Sequence, residues 1–207
     1  MAVGISRAQM LWLKALIHSL AALPLVNLYY QAYRDTLGAD PVEAVIHFTG
    51  MGALNLLMLS LLIRPLAKQS KMHFLLQCRR MIGLYAFAYG LCHVANFLLF
   101  EVQLNMPLFL QEIVKRPYIT VGMTAFVLLS ALAVTSVNWL RRKMGAHWQR
   151  LHNFSYLIAL LVVVHFYWSV KSGITEPLLY LFVYVLLMLF RAQKLRRWRH
   201  RLLGGDD

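Results

Sequence analysis

The chain is expected to fold as an all-α polytopic membrane protein, a bundle of six transmembrane helices with both termini cytoplasmic. Three observations predict this class. Six apolar runs are each long enough to cross a hydrocarbon core of about 30 Å, which takes roughly 20 helical residues. Hydrophobic residues make up 60% of the 207 and charged residues only 14%, which fits neither a soluble domain nor a disordered chain. The Lys and Arg that remain gather between alternate runs, the pattern by which membrane orientation is set.

The first run, 10–33, is too long for a secretory signal, and no small-residue cleavage site follows Leu28-Tyr29-Tyr30. The others are 45–66, 80–100, 117–138, 151–170 and 175–192. None alternates with period two, and membrane-spanning backbone must satisfy its own hydrogen bonds, so helices are expected rather than strands. No internal repeat, low-complexity stretch or dividing linker is visible, so 1–207 reads as a single domain.

Orientation follows from the cations. Arg7, Lys14, Arg64, Lys68, Lys71, Arg79, Arg80, Arg141, Arg142, Lys143, Arg150, Arg191, Lys194, Arg196, Arg197, Arg199 and Arg201 fall on one side. Only Arg34, Lys115, Arg116 and Lys171 fall on the other. The first set is therefore cytoplasmic. The net charge of +13 lies between apolar runs rather than on a polar fold. It serves topology and anionic lipid, and nucleic acid is not expected as a partner. Aromatic residues at the run ends (Tyr29, Tyr30, Tyr33, Trp139, Trp148, Trp168, Trp198) read as an interfacial belt.

Two histidines stand out against this background. His93 lies in LYAFAYGLCHVANFLLF and His165 in YLIALLVVVHFYWSV. Ionisable groups in such surroundings are costly and tend to be functional. Both runs cross in the same sense, and the rise of about 1.5 Å per residue puts both imidazoles in the outer half. The ordinary alternative for either one alone is an interhelical hydrogen bond. A depth-matched pair instead suits two axial ligands on one haem iron, and bis-imidazole ligation favours electron transfer over oxygen chemistry. Gly83 and Gly90 share a stripe that would leave a shallow groove, although such stripes more often serve helix contact. Cys78 and Cys92 form no C-x-x-C-H motif, so the haem would be held without thioether links.

His152 lies about 20 Å of helix rise before His165 and, on a continuous helix, about 140° around from it. The matching positions on the third run are Arg79 and Arg80. Arginine is a poor iron ligand but a good partner for a propionate or a phosphate. The inner end thus reads as an altered site: haem with another second ligand, a phosphate-bearing cofactor, or nothing. His18 follows Lys14 by one turn and reads as polar packing, with an approach to His152 or to a quinone headgroup as the functional alternative. His47 opens the second run at the outer surface, as a helix-end histidine or a contact for an outer partner or quinol. His73, His147 and His200 fall in the basic cytoplasmic segments.

The segments ADPVEAVIHFTG, RRMIGLYAFAYGLCHV, KRPYITVG, HWQRLHNFSYL and HFYWSVK resemble the MsrQ (YedZ) family, from about Trp12 to Arg197. These are haem-binding membrane subunits of the bacterial periplasmic methionine sulfoxide reductase system, within the ferric-reductase-like transmembrane group. The resemblance implies at least one haem b, held by His93 and His165 at the outer site. It implies His152 as the surviving ligand position of the inner site, with Arg79 or Arg80 where di-haem relatives carry a fourth histidine. It also implies FMN as a candidate occupant there.

The resemblance further implies a multi-pass protein of the bacterial inner membrane. Its role would be to pass electrons from the quinone pool to MsrP, a periplasmic molybdenum enzyme that reduces methionine sulfoxide. The chain would then be the electron-transfer subunit, with sulfoxide reduction carried out by the partner. No soluble nucleotide-binding domain is read in the sequence, so quinol or a separate cytoplasmic flavin reductase is the expected donor. Two alternatives stand beside this: a free-standing transmembrane reductase of ferric iron or oxygen, and a non-redox membrane scaffold whose histidines only pack helices.

Overall fold

The computed structural model describes the backbone of residues 4–170 and 173–202 and the side chains of 4–170 and 173–190. Lys171, the tail cations, Trp198 and His200 therefore lie outside the described side chains. Among the described residues the fold is all-helical.

The elements are α1 (Arg7–Tyr33), α2 (Pro41–Gln69), α3 (Arg79–Asn96), α4 (Met106–Lys115), α5 (Pro117–Val134), α6 (Asn138–Met144), α7 (Ala146–His152), α8 (Ser155–Ser169) and α9 (Thr175–Leu202). Local chemistry sets their starts. Ser6 and Gln9 form a reciprocal capping box at α1. Asp40 and Asn105 accept from the first-turn amides of α2 and α4. Pro41, Pro107 and Pro117 sit in first turns, where their missing N–H costs nothing.

Five helical stretches are long and apolar enough to cross a membrane: Arg7–Tyr33, Pro41–Gln69, Arg79–Glu101, Pro117–Val134 and Ala146–Ser169. The expected sixth, 175–192, is helical, but its apolar part is Thr175–Phe190. It belongs to α9, which continues to Leu202.

Two expected runs are also broken. The run 117–138 stops at Val134, where the Thr135 and Ser136 hydroxyls bond back to Ala131 and Leu132 carbonyls and the chain turns into α6. The run 151–170 turns at Asn153-Phe154, so His152 and His165 do not share one continuous helix. A facing angle computed on a straight helix does not apply to them.

The closest helix pairs are α2 with α3 and α5 with α8. Ala86, Ala125 and Ala159 are almost fully buried at their contacts, beside Leu54, Leu129, Ile158 and Val163. Small residues let helices approach where lipid offers no hydrophobic drive for association. The flank of α1 is open, with Trp12, Leu16, Leu20, Leu23 and Val26 exposed, as suits a lipid-facing surface. Three hydrogen bonds tie α1 to α3: His18 to Tyr85, Tyr89 to the Ala21 carbonyl, and Tyr29 to Asn96. Their sequence offsets are 67, 68 and 67, so the two helices run parallel in fixed register.

Candidate haem site between α3 and α8

His93 and His165 come together. Their ring centroids are 6.2 Å apart with the planes at 83°. Each Nδ1–H donates to a carbonyl on the neighbouring helix: His93 to Ile46 of α2 at 2.9 Å, and His165 to Tyr118 of α5 at 2.6 Å. That bond fixes the tautomer and leaves Nε2 with its lone pair, the form in which imidazole binds a metal.

The spacing can be tested against a haem. Two metal–imidazole bonds of about 2 Å plus two ring half-widths of about 1 Å separate the centroids by about 6 Å. The observed gap fits. Among the described residues no group of three or more His, Cys, Asp or Glu converges on a metal site. Two neutral imidazoles alone would hold a bare ion poorly, whereas a porphyrin brings its own equatorial nitrogens. The donor set therefore matches a haem rather than a free cation.

Each imidazole lies against a glycine. A Cβ on Gly50 would stand 3.0 Å from the His93 ring, and one on Gly122 would stand 2.7 Å from Nδ1 of His165. Carbonyl, glycine and histidine recur in the same order in both halves: Ile46, Gly50 and His93, then Tyr118, Gly122 and His165. In both, the histidine follows the accepting carbonyl by 47 residues. All three positions repeat at an interval of 72 (165 − 93 = 122 − 50 = 118 − 46). Sequence reading found no repeat because its residue-level trace is short, chiefly Gly50-Met51 against Gly122-Met123. It singled out Gly83 and Gly90 instead. A Cβ at Gly90 would meet Leu129 and Phe126 of α5 at 3.7 and 3.8 Å, so that glycine serves helix contact, and Gly83 has nothing near it.

A buried polar chain flanks the pair. Asn96, one turn after His93, accepts from the Tyr29 hydroxyl at 3.0 Å and donates to Thr49 at 3.4 Å. Thr49 in turn donates to the Val45 carbonyl. Beyond Asn96 the helix continues as a π-helical turn, Phe97–Glu101, a distortion that recurs at functional sites. His47 is exposed, with its ring 6.5 Å from that of Phe166.

The inner residues are arranged differently. His152 stacks on Trp148 at 4.0 Å, and its Nε2 lies 3.2 Å from the Thr135 hydroxyl, which itself donates to Ala131. Trp148 donates to the Thr135 carbonyl and lies under Arg141. Arg80 is exposed and donates to Asn138 at 2.7 Å. Arg79 is half-buried and close enough to His152 and Arg64 for their charges to act on one another, and it makes no ion pair among the described residues. His18 bonds Tyr85, a partner the sequence did not suggest, rather than His152.

Residues 44–163 match the family model described as "Ferric reductase like transmembrane component". That segment spans α2 to most of α8 and contains Gly50, His93, Gly122 and His152. The protein-methionine-sulfoxide reductase heme-binding subunit MsrQ of Klebsiella pneumoniae (strain 342) is 41% identical over 191 residues, covering 92% of this chain and 96% of that protein. No solved structure matches. With that family model and that near full-length likeness, the chain belongs to the ferric-reductase-like transmembrane proteins and, among them, to the MsrQ family.

Proposed function

We propose that this chain is a haem b membrane subunit that passes electrons from the quinone pool to a periplasmic molybdenum-containing methionine sulfoxide reductase. The observation that carries the proposal is the outer pair: two imidazoles at sandwich spacing, each with Nδ1 tied to a carbonyl and Nε2 left to bind iron. Membership in a family of membrane haem subunits supports it. His93 and His165 would hold a haem, which would supply one-electron redox chemistry there.

The chain's own residues do the rest. Ile46 and Tyr118 hold the rings, Gly50 and Gly122 admit them, and the apolar core excludes water from the pair. The acceptor in this proposal is a docked MsrP-like protein, for which the outer segment around Lys115, Arg116 and Pro117 and the loop 34–47 are the nearest surfaces. The inner occupant, a second haem or FMN, rests on resemblance. In either case Arg79 is the guanidinium placed to meet a propionate or phosphate, and His152 would have to release Thr135 before its Nε2 could bind iron.

We take α9 as a sixth crossing, both termini as cytoplasmic, and the bacterial inner membrane as the location. The test is the visible spectrum of the purified protein. Wild type should show a Soret band with a sharp reduced α-peak. His93→Ala and His165→Ala should each abolish the low-spin signal, while His152→Ala should spare it. Loss with only one of the outer pair would break the pairing. A high-spin iron with an open axial position would instead favour a free-standing ferric or oxygen reductase.

A further inference from the structure

Of the three bonds between α1 and α3, two are sheltered and one opens outward. Tyr29–Asn96 is partly buried and Tyr89–Ala21 is buried, but the His18–Tyr85 pair is exposed on the lipid-facing flank. We propose that His18 and Tyr85 form a headgroup site for a membrane hydroquinone, a lipid-soluble two-electron donor. The proposal rests on the electron-transfer function above and gives its donor a place.

Depth is the first argument. His18 lies one helical turn beyond Lys14, about 6 Å further into the membrane. It therefore sits just inside the hydrocarbon boundary that the lysine marks, at a level a ring headgroup reaches while its tail stays in lipid. Satisfaction is the second. Nδ1 of His18 is 2.8 Å from the Tyr85 hydroxyl, with the rings edge to face at 5.5 Å. No hydrogen bond to Nε2 is formed among the described residues, yet the ring faces a phase that supplies no partner.

Chemistry is the third argument. Neutral imidazole with the proton on Nδ1 accepts through Nε2 from a hydroquinone O–H. With the proton on Nε2 it donates to a quinone carbonyl. The Tyr85 hydroxyl can donate or accept, so it accommodates either tautomer, and one pair can hold both oxidation states of the ligand. Reach is the fourth. Tyr85 precedes His93 by eight residues on α3, a rise of about 12 Å. Finally, His18 on α1 lies outside residues 44–163, which match the ferric-reductase-like model, while Tyr85 lies within them, so the pair joins the first helix to that segment.

The test is a fluorescence-quench titration of the haem-loaded protein in nanodiscs with 2-heptyl-4-hydroxyquinoline N-oxide, a quinone-site analogue. Wild type should bind one molecule saturably. His18→Leu should weaken binding tenfold or more. Tyr85→Phe, which removes one hydrogen bond to the ring, should weaken it about threefold to tenfold. Both should keep the wild-type absorption spectrum. His93→Ala should lose that spectrum yet bind the analogue within about twofold of wild type, so failure of the haem function and failure of this site are distinguishable. Absence of saturable binding by wild type, or wild-type affinity in both variants, overturns the proposal and leaves an interhelical bond. If His18→Leu fails to fold, His18→Gln decides: weakened binding supports the site, and unchanged binding overturns it.

Discussion

Glycine at 50 and 122 leaves room for an imidazole lying against the next helix, and no other side chain does so without displacing the ring. The two positions differ in tolerance. The His165 ring stands closer to its glycine than the His93 ring does, 2.7 Å against 3.0 Å from a built Cβ. Both contacts are to a ring held by a backbone carbonyl, so the ring has little freedom to move aside. Gly122→Ala should therefore strip Nδ1 from the Tyr118 carbonyl or tilt the ring. An unsatisfied donor there costs about 1–3 kcal/mol. The expected outcome is a severalfold loss of haem occupancy and a shifted low-spin resonance spectrum for Gly122→Ala, with a smaller change for Gly50→Ala. Equal wild-type occupancy and spectra in both would show that the glycines do not position the rings.

The histidines themselves were legible in the sequence, because an ionisable residue within an apolar span announces a cost that something must offset. Their second partners were not. A backbone carbonyl has no sequence signature, and a glycine in a membrane helix is common enough to pass unnoticed. The sequence does not distinguish Arg79 from Arg80 as the inner cation. The structure separates them, with Arg80 exposed on Asn138 and Arg79 turned to the His152 end.

At the scale of helices, polar bonds do what hydrophobicity does in water. α1 buries few of its own residues, Met10, Ala21 and Leu28. Its register on α3 is set by hydrogen bonds, one of which runs through Asn96, only 2% exposed. Asn96→Leu should release Tyr29 and leave Thr49 with only its own helix's carbonyls as partners. Such bonds average about 0.6 kcal/mol in membranes and reach about 1.7. A loss near 1 kcal/mol is expected, seen as a lower thermal midpoint in detergent. The haem spectrum should persist, since neither imidazole bonds Asn96. A lost spectrum would mean that α1 docking and the haem pocket are one unit.

Helix ends show where sequence reading is weakest. The expected runs continue past Val134 and across Asn153, but the hydroxyls at 135 and 136 bond to their own helix's carbonyls and the chain turns at 153. Hydropathy counts residues and does not see such turns.

Over the whole molecule, two helix pairs repeat one design at an interval of 72 residues, and the repeat constrains topology. The pair α2/α3 presents His93 as α5/α8 presents His165, each imidazole reaching back to the carbonyl near the start of its partner helix. The two imidazoles can meet only if α3 and α8 cross the membrane in the same sense. α1 adds a third helix of that sense through its parallel register on α3.

The segment from α1 to α2 and the one from α3 to α5 then share a face, opposite the segments joining α2 to α3 and α5 to α8. Charge assigns the faces, with Arg64, Lys68, Lys71, Arg141, Arg142 and Lys143 on one and Arg34, Lys115 and Arg116 on the other. In a background with Cys78 and Cys92 replaced by alanine, single cysteines report the arrangement. Ala39→Cys and Gln111→Cys should react with a membrane-impermeant maleimide on intact spheroplasts. Lys71→Cys and Lys143→Cys should react only after the membrane is opened. The reversed pattern would place the histidine pair at the inner face, too far from the proposed periplasmic acceptor to serve it. A mixed pattern within either set would break the parallel alignment of α3 and α8 on which the pair depends.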